Sequence, residues 1–216
     1  MQKPTNIPID KVSAVIGTGP ENIIVKEDFL TEEEIQTAFK IIEKYPHDAE
    51  AYHSYFLGQL PEFDHNDQEQ NMFHYEMGQK MIAYARSLYP NLEIIQDKGL
   101  GIVVHPKGTF IDPHTDILDI DMTKDNYETD TYESQVDRFP FLWSGHLSVL
   151  AYLNDDYEGG DLYFPDHGVS IKPKRGSIIT FPGNAHYIHG VKPTTSGIRY
   201  TISQWCRFKD FSPRPE

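Results

Sequence analysis

The sequence has little cysteine, few basic residues and no long apolar run, and each of these shortages argues against a class of protein. Its single cysteine, Cys206, excludes an internal disulfide. Its 19 basic residues are outnumbered by 33 acidic ones, and the net charge of -14 disfavours binding to nucleic acid or to anionic membranes. No segment approaches the roughly 20 apolar residues of a membrane span, and residues 1–5 lack the apolar core of a secretory signal. We expect a cytoplasmic protein with no nucleic-acid or membrane partner.

The chain does have enough apolar residues to bury a core. Its 216 residues are 38% hydrophobic and 12% aromatic, which suits one domain over residues 1–216. Helical spacing dominates residues 1–97, and strand-like segments dominate residues 98–210. We therefore expect an N-terminal segment with supporting helices, packed on a β-rich core.

Two helices are predicted in the N-terminal half. Thr31 is a good N-cap, Glu34 stands at the capping-box position, and the helical spacing ends near Tyr45. A second helix is predicted over residues 68–88, closed by Pro90. The apolar positions expected to face the sheet include Met72, Tyr75, Tyr84 and Leu88.

Short segments rich in Val, Ile, Tyr and Phe follow, separated by turn residues at close intervals. One predicted turn covers residues 194–197. The fold class expected is mainly β with flanking helices (α+β), a double-stranded β-helix or jelly roll supported by N-terminal helices. The predicted strands are 101–104, 109–113, 146–153, 161–164, 169–172, 177–181 and 199–208.

A candidate metal site begins with His114-Thr115-Asp116. Two histidines and one carboxylate are the ligands of mononuclear non-haem Fe(II) sites that keep open positions for chemistry. In an extended segment residues i and i+2 point to the same side, so His114 and Asp116 can hold one ion from a strand end. The third ligand must come from elsewhere, and both His186 and His189 are candidates.

The order of motifs over residues 100–208 resembles that of the Fe(II)- and 2-oxoglutarate-dependent dioxygenases, and within them the prolyl-4-hydroxylase-like branch. A lone His-x-Asp is a weak signal, but the ordered set is specific. The motifs are His-x-Asp at 114–116, Gly-Gly-Asp-Leu-Tyr-Phe at 159–164, Lys-x-Gly-Ser-Ile-Ile-Thr-Phe at 174–181, His-Gly-Val at 189–191 and Arg-Tyr-Thr-Ile-Ser-x-Trp at 199–205.

The resemblance assigns His114, Asp116 and His189 to iron, because His189 has the expected ten-residue spacing to Arg199. It assigns Arg199 to the distal carboxylate of 2-oxoglutarate, and a planar guanidinium fits a carboxylate bidentately.

Four further residues are candidates for the cosubstrate pocket. Tyr152 matches a family position whose phenol reaches the same carboxylate. Ser203 and Trp205 share the strand face of Arg199 and are expected to contact or wall the pocket. His105 stands where the family often has a tyrosine, so its contact with 2-oxoglutarate is left open.

The resemblance also implies the cofactors and the reaction. Three protein ligands leave three positions on an octahedral ferrous ion, of which 2-oxoglutarate takes two and O2 the last. Decarboxylation of 2-oxoglutarate to succinate and CO2 then accompanies hydroxylation of a C–H bond, with ascorbate as a candidate reductant. Because Asp116 is a carboxylate rather than a small residue, the sequence favours hydroxylation over halogenation.

The substrate favoured by the resemblance is a prolyl residue in a peptide or protein. A hydroxylase of a free amino acid or another small molecule is the alternative, and a non-catalytic metal-binding roll is a third hypothesis. The related base-repair branch is disfavoured, because it carries a second arginine where this chain has Trp205.

The segment 117–145 between the metal motif and the next strand carries seven acidic and two basic residues. In related hydroxylases this segment forms a flap over the substrate, and long loops in compact domains are commonly functional. We expect a flap that favours proline peptides with Lys or Arg flanks, with a solvated loop as the alternative. Its acidic residues are Asp119, Asp121, Asp125, Glu128, Asp130, Glu133 and Asp137.

Overall fold

The helices lie mostly in the N-terminal half of the chain. The computed structural model describes residues 11–45, 54–96, 100–116 and 146–209. The α-helices are α1 (Lys11–Ile16), α2 (Glu32–Glu43) and α3 (Gln68–Leu88). Single 3-10 turns lie at Pro20–Asn22, Leu57–Gln59, Pro165–His167 and Ala185–Tyr187. Within these residues no helix is both long and apolar enough to cross a membrane.

The strands form a larger antiparallel sheet, a smaller antiparallel sheet and a separate antiparallel pair of short strands. They are β1 (Ile24–Lys26), β2 (Tyr55–Phe56), β3 (Ile94–Gln96), β4 (Gly101–His105), β5 (Ile111–His114), β6 (His146–Tyr152), β7 (Glu158–Gly159), β8 (Leu162–Phe164), β9 (Val169–Ile171), β10 (Ile178–Pro182), β11 (His189–Val191), β12 (Thr194–Ser196) and β13 (Arg199–Phe208). The larger sheet runs β1-β10-β6-β13-β4-β2, with β3 beside β13, and the smaller one runs β5-β11-β8-β9.

The two sheets face each other across an apolar layer. Tyr152 and Phe181 from the larger sheet share this cluster with Leu162, Phe164 and Val191 from the smaller one. Two antiparallel sheets that close on one another in this strand order form a double-stranded β-helix. The predicted fold class is therefore confirmed.

Helices α2 and α3 cover the outer face of the larger sheet. Ile41 of α2 and Met81 of α3 share one core cluster with Val149 of β6 and Ile202 of β13. The N-terminus of α2 has the capping box expected from sequence. The hydroxyl of Thr31 accepts from the Glu34 backbone N–H at 3.2 Å, and the Glu34 carboxylate accepts from the Thr31 N–H at 2.7 Å.

Some local expectations were wrong. Helix α3 has the predicted bounds, but Met72 and Tyr75 are exposed. The helix instead buries the stripe that contains Phe73, Met77 and Met81 at four-residue intervals, because this stripe meets the sheet. Residues 194–196, predicted as part of a turn, form β12 and pair with β7.

The N-terminal half contributes more than covering helices. Strands β1, β2 and β3 belong to residues 1–97 and extend the larger sheet at both of its sides. Strands β2 and β3 are two and three residues long, which is too short for an alternation that the sequence could show. The proposed flap at 117–145 lies outside the described residues.

Candidate metal and cosubstrate site

Two short strands of the smaller sheet position the candidate metal ligands. His114 ends β5 and His189 begins β11, and the two residues are partners in the antiparallel ladder. Asp116 lies two residues after His114, where its backbone N–H donates to the Gly183 carbonyl at 3.2 Å. The pairing of β5 with β11 therefore brings residues 75 positions apart in sequence to one side of the barrel.

The three side chains form a compact set of donor atoms. One ligand atom from each of His114, Asp116 and His189 lies within 4.8 Å of the others. The Asp116 carboxylate is 3.6 Å from His114 Nε2 and 3.4 Å from His189 Nε2. Metal bonds of about 2.1 Å place adjacent ligand atoms about 3 Å apart, so a small inward movement accommodates a divalent ion.

The structure places His189, and not His186, in this set. His186 lies in the 3-10 turn Ala185–Tyr187, and its carbonyl lies 2.8 Å from Nε2 of His167. The chemistry of the set, two imidazoles and a carboxylate on one side of an ion, suits Fe(II) with open positions.

Hydrogen bonds behind the donor atoms fix their orientation. Nδ1 of His114 lies 2.8 Å from the Asp112 carbonyl, and Nδ1 of His189 lies 3.1 Å from the Tyr187 carbonyl. Because a carbonyl only accepts, each Nδ1 carries the proton and each Nε2 is left with a lone pair for a metal. The hydroxyl of Ser148, on β6, donates to the Asp116 carboxylate.

The charges of the set match this assignment. Burial alone would raise the pKa of Asp116, but the His189 and His114 imidazoles and the Ser148 hydroxyl hold that pKa well below its usual range. Burial lowers the pKa of His189 to about 4, with Asp116 acting in the opposite direction. At neutral pH the set therefore offers one carboxylate and a neutral His189, the forms that bind metal.

Tyr187 connects this set to the N-terminal segment. Its phenol donates to the Gly19 carbonyl at 3.1 Å and accepts from the Asn22 side-chain amide at 2.9 Å. Its ring also stacks on His167, with centroids 5.1 Å apart. The Tyr187 carbonyl accepts from His189 Nδ1. The N-terminal segment therefore stabilises the position of a candidate metal ligand through Tyr187. Sequence patterns gave no signal for this contact.

Arg199 lies at the start of β13 and is buried, with 2% of its surface exposed. Its Nη2 donates to the Tyr152 phenol at 3.2 Å, and its guanidinium lies 5.0 Å from the centre of that ring. Nε and Nη1 make no hydrogen bond, and no carboxylate of the described residues pairs with the group. A buried cation that lacks a counterion is costly, so the position fits a ligand carboxylate such as that of 2-oxoglutarate.

Three residues that sequence analysis did not select also converge on Arg199. A Cβ added to Gly160 would lie 3.0 Å from the Tyr157 ring, 3.2 Å from Arg199 Cδ and 3.3 Å from Thr194 Oγ1. The buried Thr194 hydroxyl makes no hydrogen bond with the described residues. Gly160, with a φ of +66°, thus leaves open a space that any side chain would fill.

The other predicted pocket residues lie at different points of the same sheet face. His105 is the ladder partner of Arg199, is buried, and has Nδ1 2.6 Å from the Ser54 hydroxyl. Burial, and then the charge of Arg199, hold the pKa of His105 well below its ordinary value. Ser203 is buried four residues along β13, and Trp205 lies further along, opposite Ser148. Trp205 is therefore closer in the ladder to the metal set than to Arg199.

The sequence profile of the 2OG-Fe(II) oxygenase superfamily matches residues 100–207. The chain belongs to this superfamily, which is a class of enzymes that uses Fe(II), 2-oxoglutarate and O2. The matched range contains the His-Asp-His set and Arg199.

Among curated proteins, human prolyl 3-hydroxylase 2 is 41% identical over 63 residues, which is 27% of this chain and 9% of that protein. The chain thus spans about a tenth of the length of this relative. Two solved structures share the fold at 16% identity. A viral collagen prolyl hydroxylase from Paramecium Bursaria Chlorella virus-1 has a TM-score of 0.55, covering 87% of this chain and 96% of that one. A prolyl hydroxylase from Trichoplax adhaerens, solved with a hypoxia inducible factor peptide fragment, has a TM-score of 0.58, covering 88% and 85%.

Proposed function

We propose that this protein hydroxylates a prolyl residue in a peptide or protein, with Fe(II), 2-oxoglutarate and O2. The observation that carries the proposal is the buried Arg199 without a counterion, in the same barrel as the His-Asp-His set. The similarity to prolyl 3-hydroxylase 2 and to solved prolyl hydroxylases supports the choice of proline. A free amino acid or another small molecule is the alternative substrate.

Each part of the site has a separate role in this proposal. His114, Asp116 and His189 would hold the iron, and Arg199 with Tyr152 would hold the distal carboxylate of 2-oxoglutarate. The bound iron and 2-oxoglutarate would supply the oxidising chemistry, in which O2 is consumed, succinate and CO2 are released and a C–H bond gains a hydroxyl. Ascorbate is proposed as a reductant that restores ferrous iron.

The protein's own contribution is placement and charge. The Ser148 hydroxyl keeps the Asp116 carboxylate oriented and ionised. The backbone carbonyls of Asp112 and Tyr187 hold the two imidazoles with Nε2 available. Arg199 would bind the distal carboxylate of the cosubstrate and so limit its movement in the pocket. His105, neutral and held by Ser54, is proposed as an additional donor to the same carboxylate.

The experiment is an intact-mass screen of proline-containing peptides with Fe(II), 2-oxoglutarate and ascorbate, each omitted in turn. We expect one added oxygen on a peptide and one succinate per added oxygen, lost in Asp116→Ala. Amino-acid analysis of the product distinguishes 3-hydroxyproline from 4-hydroxyproline. Free proline and other free amino acids are included, and oxidation of these alone would favour the alternative substrate.

A reducing intracellular compartment is also part of the proposal, because the site must keep iron ferrous. The one cysteine, Cys206, is buried and forms no internal disulfide. Fluorescence microscopy of a tagged full-length chain in its native cells tests this location.

A further inference from the structure

Ser54, His105 and Arg199 form a row of side chains across three neighbouring strands, which we call the polar row. His105 of β4 is the ladder partner of Arg199 of β13. Tyr55 of β2 is the ladder partner of Val104, so the same register continued by one residue places Ser54 opposite His105. Opposed residues of an antiparallel ladder point to the same face, with Cβ atoms about 5 Å apart. Backbone pairing therefore fixes the order of the polar row.

One hydrogen bond joins the first two members of the polar row. The Ser54 hydroxyl lies 2.6 Å from Nδ1 of His105, whose side chain is buried. Shielding from water strengthens such a bond. The other ring nitrogen, Nε2, makes no hydrogen bond with the described residues, and it does not belong to their fully enclosed, unpaired polar atoms. Within the described part of the chain, Nε2 is thus open to a ligand.

The imidazole of His105 is neutral at physiological pH and carries one N–H. Burial, and then the charge of Arg199, hold its pKa well below the ordinary value. In a neutral imidazole one nitrogen donates and the other accepts, and the hydrogen bond of one determines the role of the other. Either the Ser54 hydroxyl donates to Nδ1 and the proton is on Nε2, or Nδ1 donates to Ser54 and Nε2 has the lone pair. A serine hydroxyl permits both.

The surroundings of Arg199 favour the first arrangement when a ligand is bound. Arg199 donates to Tyr152, and no hydrogen bond among the described residues joins it to His105. A lone pair on Nε2 would repel a carboxylate bound beside Arg199, whereas an N–H there would donate to it. The tautomer with its proton on Nε2 is therefore the one that suits a carboxylate ligand.

We propose that Ser54 is a positioning residue for the cosubstrate. Its hydroxyl donates to His105 Nδ1 and so keeps the imidazole proton on Nε2, which donates to the carboxylate that Arg199 would bind. The inference rests on the proposed function for the identity of that ligand. The polar row adds a donor beside Arg199 without adding a second positive charge. It also makes β2, which belongs to the N-terminal half of the chain, part of the cosubstrate site.

The first experiment observes the tautomer directly and needs no turnover. The full chain is labelled with ¹⁵N-histidine and loaded with Zn(II), a diamagnetic ion that binds the same donor types. Long-range ¹H–¹⁵N correlation spectra distinguish protonated from unprotonated ring nitrogens, and His105→Gln assigns the His105 signals. With 2-oxoglutarate bound we expect a protonated Nε2 and an unprotonated Nδ1. A proton on Nδ1, alone or together with one on Nε2, overturns the inference.

The second experiment measures the Kd for 2-oxoglutarate by calorimetry, with Mn(II) in place of iron. Ser54→Ala should raise this Kd about three- to tenfold, because Nδ1 loses its donor. Ser54→Thr keeps a hydroxyl and should restore the parent value, and the Kd for Mn(II) should stay the same throughout. Ser170→Ala is the matched control, because it removes the hydroxyl of an exposed serine that donates to Asp161. A parent-like Kd in Ser54→Ala contradicts the inference.

Variants of His105 keep the test valid should Ser54→Ala fail to fold. His105→Leu removes the donor and should raise the Kd for 2-oxoglutarate about tenfold or more. His105→Gln places an amide N–H near the position of Nε2 and should weaken binding less than His105→Leu does. Adding Ser54→Ala to His105→Leu should change the Kd no further, because Ser54 acts through the imidazole. An additional loss in the double variant would assign Ser54 a separate structural role and refute the inference.

Steady-state kinetics with a proline peptide separate this inference from the proposed function. In Ser54→Ala we expect a higher KM for 2-oxoglutarate and an unchanged KM for the peptide. Hydroxylation with equal KM values for 2-oxoglutarate in Ser54→Ala and the parent refutes the role of Ser54 alone. The expected effects on 2-oxoglutarate binding, without hydroxylation of any proline peptide, refute the proposed substrate instead. Absence of 2-oxoglutarate binding to the parent overturns both.

Discussion

Replacing Arg199 by methionine should uncouple 2-oxoglutarate binding from metal binding. Arg199 donates one hydrogen bond, to Tyr152, whereas Nε and Nη1 donate none. Two of its three nitrogen atoms are therefore available to a ligand carboxylate. Loss of one partner of a buried charge pair costs about 2–5 kcal/mol. The Kd for 2-oxoglutarate should therefore rise by about 30-fold or more, whereas the Kd for Fe(II) should change little, because the metal set is separate.

Thermal unfolding gives an independent measure of the same coupling. With Mn(II) in place of iron and 2-oxoglutarate at about 100 times its Kd, the parent gains about 2.7 kcal/mol. For a chain of this size that corresponds to a rise in Tm of about 5–10 °C. With a Kd about 30-fold higher, Arg199→Met should gain about 0.9 kcal/mol or less at the same concentration, which is a rise in Tm of about 2–3 °C at most. Without ligand its Tm should equal or exceed that of the parent, because an unpaired buried charge has been removed.

The matched control is Arg175→Met, which removes an exposed arginine paired with Glu32. It should keep the parent's response to 2-oxoglutarate. A full rise in Tm in Arg199→Met, with an unchanged Kd by calorimetry, would show that the cosubstrate carboxylate is held elsewhere. A loss of metal binding in the same variant would also contradict the separation of the two sites.

Three further predictions concern the metal ligands, their support and the segment 117–145. His189→Ala should abolish the visible band formed by Fe(II) and 2-oxoglutarate without oxygen, and His186→Ala should largely keep it; the reverse would identify the other histidine. Tyr187→Phe should weaken Fe(II) binding about three- to tenfold, because it removes the phenol hydrogen bonds to Asn22 and Gly19. Tyr163→Phe is the control and should leave the Fe(II) affinity unchanged. Equal affinities in the two variants would show that these hydrogen bonds do not support the metal site. Proline peptides flanked by Lys should have a higher kcat/KM than peptides flanked by Glu at low salt. Neutralising four acidic residues of segment 117–145 should remove this preference. A preference that persists in that variant would show that selectivity does not come from the segment. The four acids are Asp119, Asp121, Asp125 and Glu128.

Local signals predicted the elements that depend on near neighbours. The capping box of α2 involves residues three positions apart, and α3 lies between its predicted bounds at Gln68 and Leu88. Strand β13 also has its predicted bounds. Such features are visible in sequence because their hydrogen bonds and their periodicity are contained in one segment.

The burial of α3 shows where local pattern stops being sufficient. Met72 and Tyr75 belong to a plausible apolar stripe, yet both are exposed, because the sheet meets the stripe of Phe73 and Met77. Which of two apolar faces is buried depends on the partner surface. Strand β2 is similar, since its two residues are a strand only because β4 offers an edge to pair with.

The order of His114, Asp116, a later histidine and Arg199 was enough, from sequence alone, to indicate the superfamily and its cofactors. The spacing to Arg199 already favoured His189 over His186 in the sequence, and the ladder of β5 and β11 is what places His189 beside His114. Tertiary structure alone gathered Thr194 and Tyr157 around Arg199. Sequence states which chemical groups are available, whereas strand pairing and packing decide which of them meet, since those contacts join residues far apart along the chain.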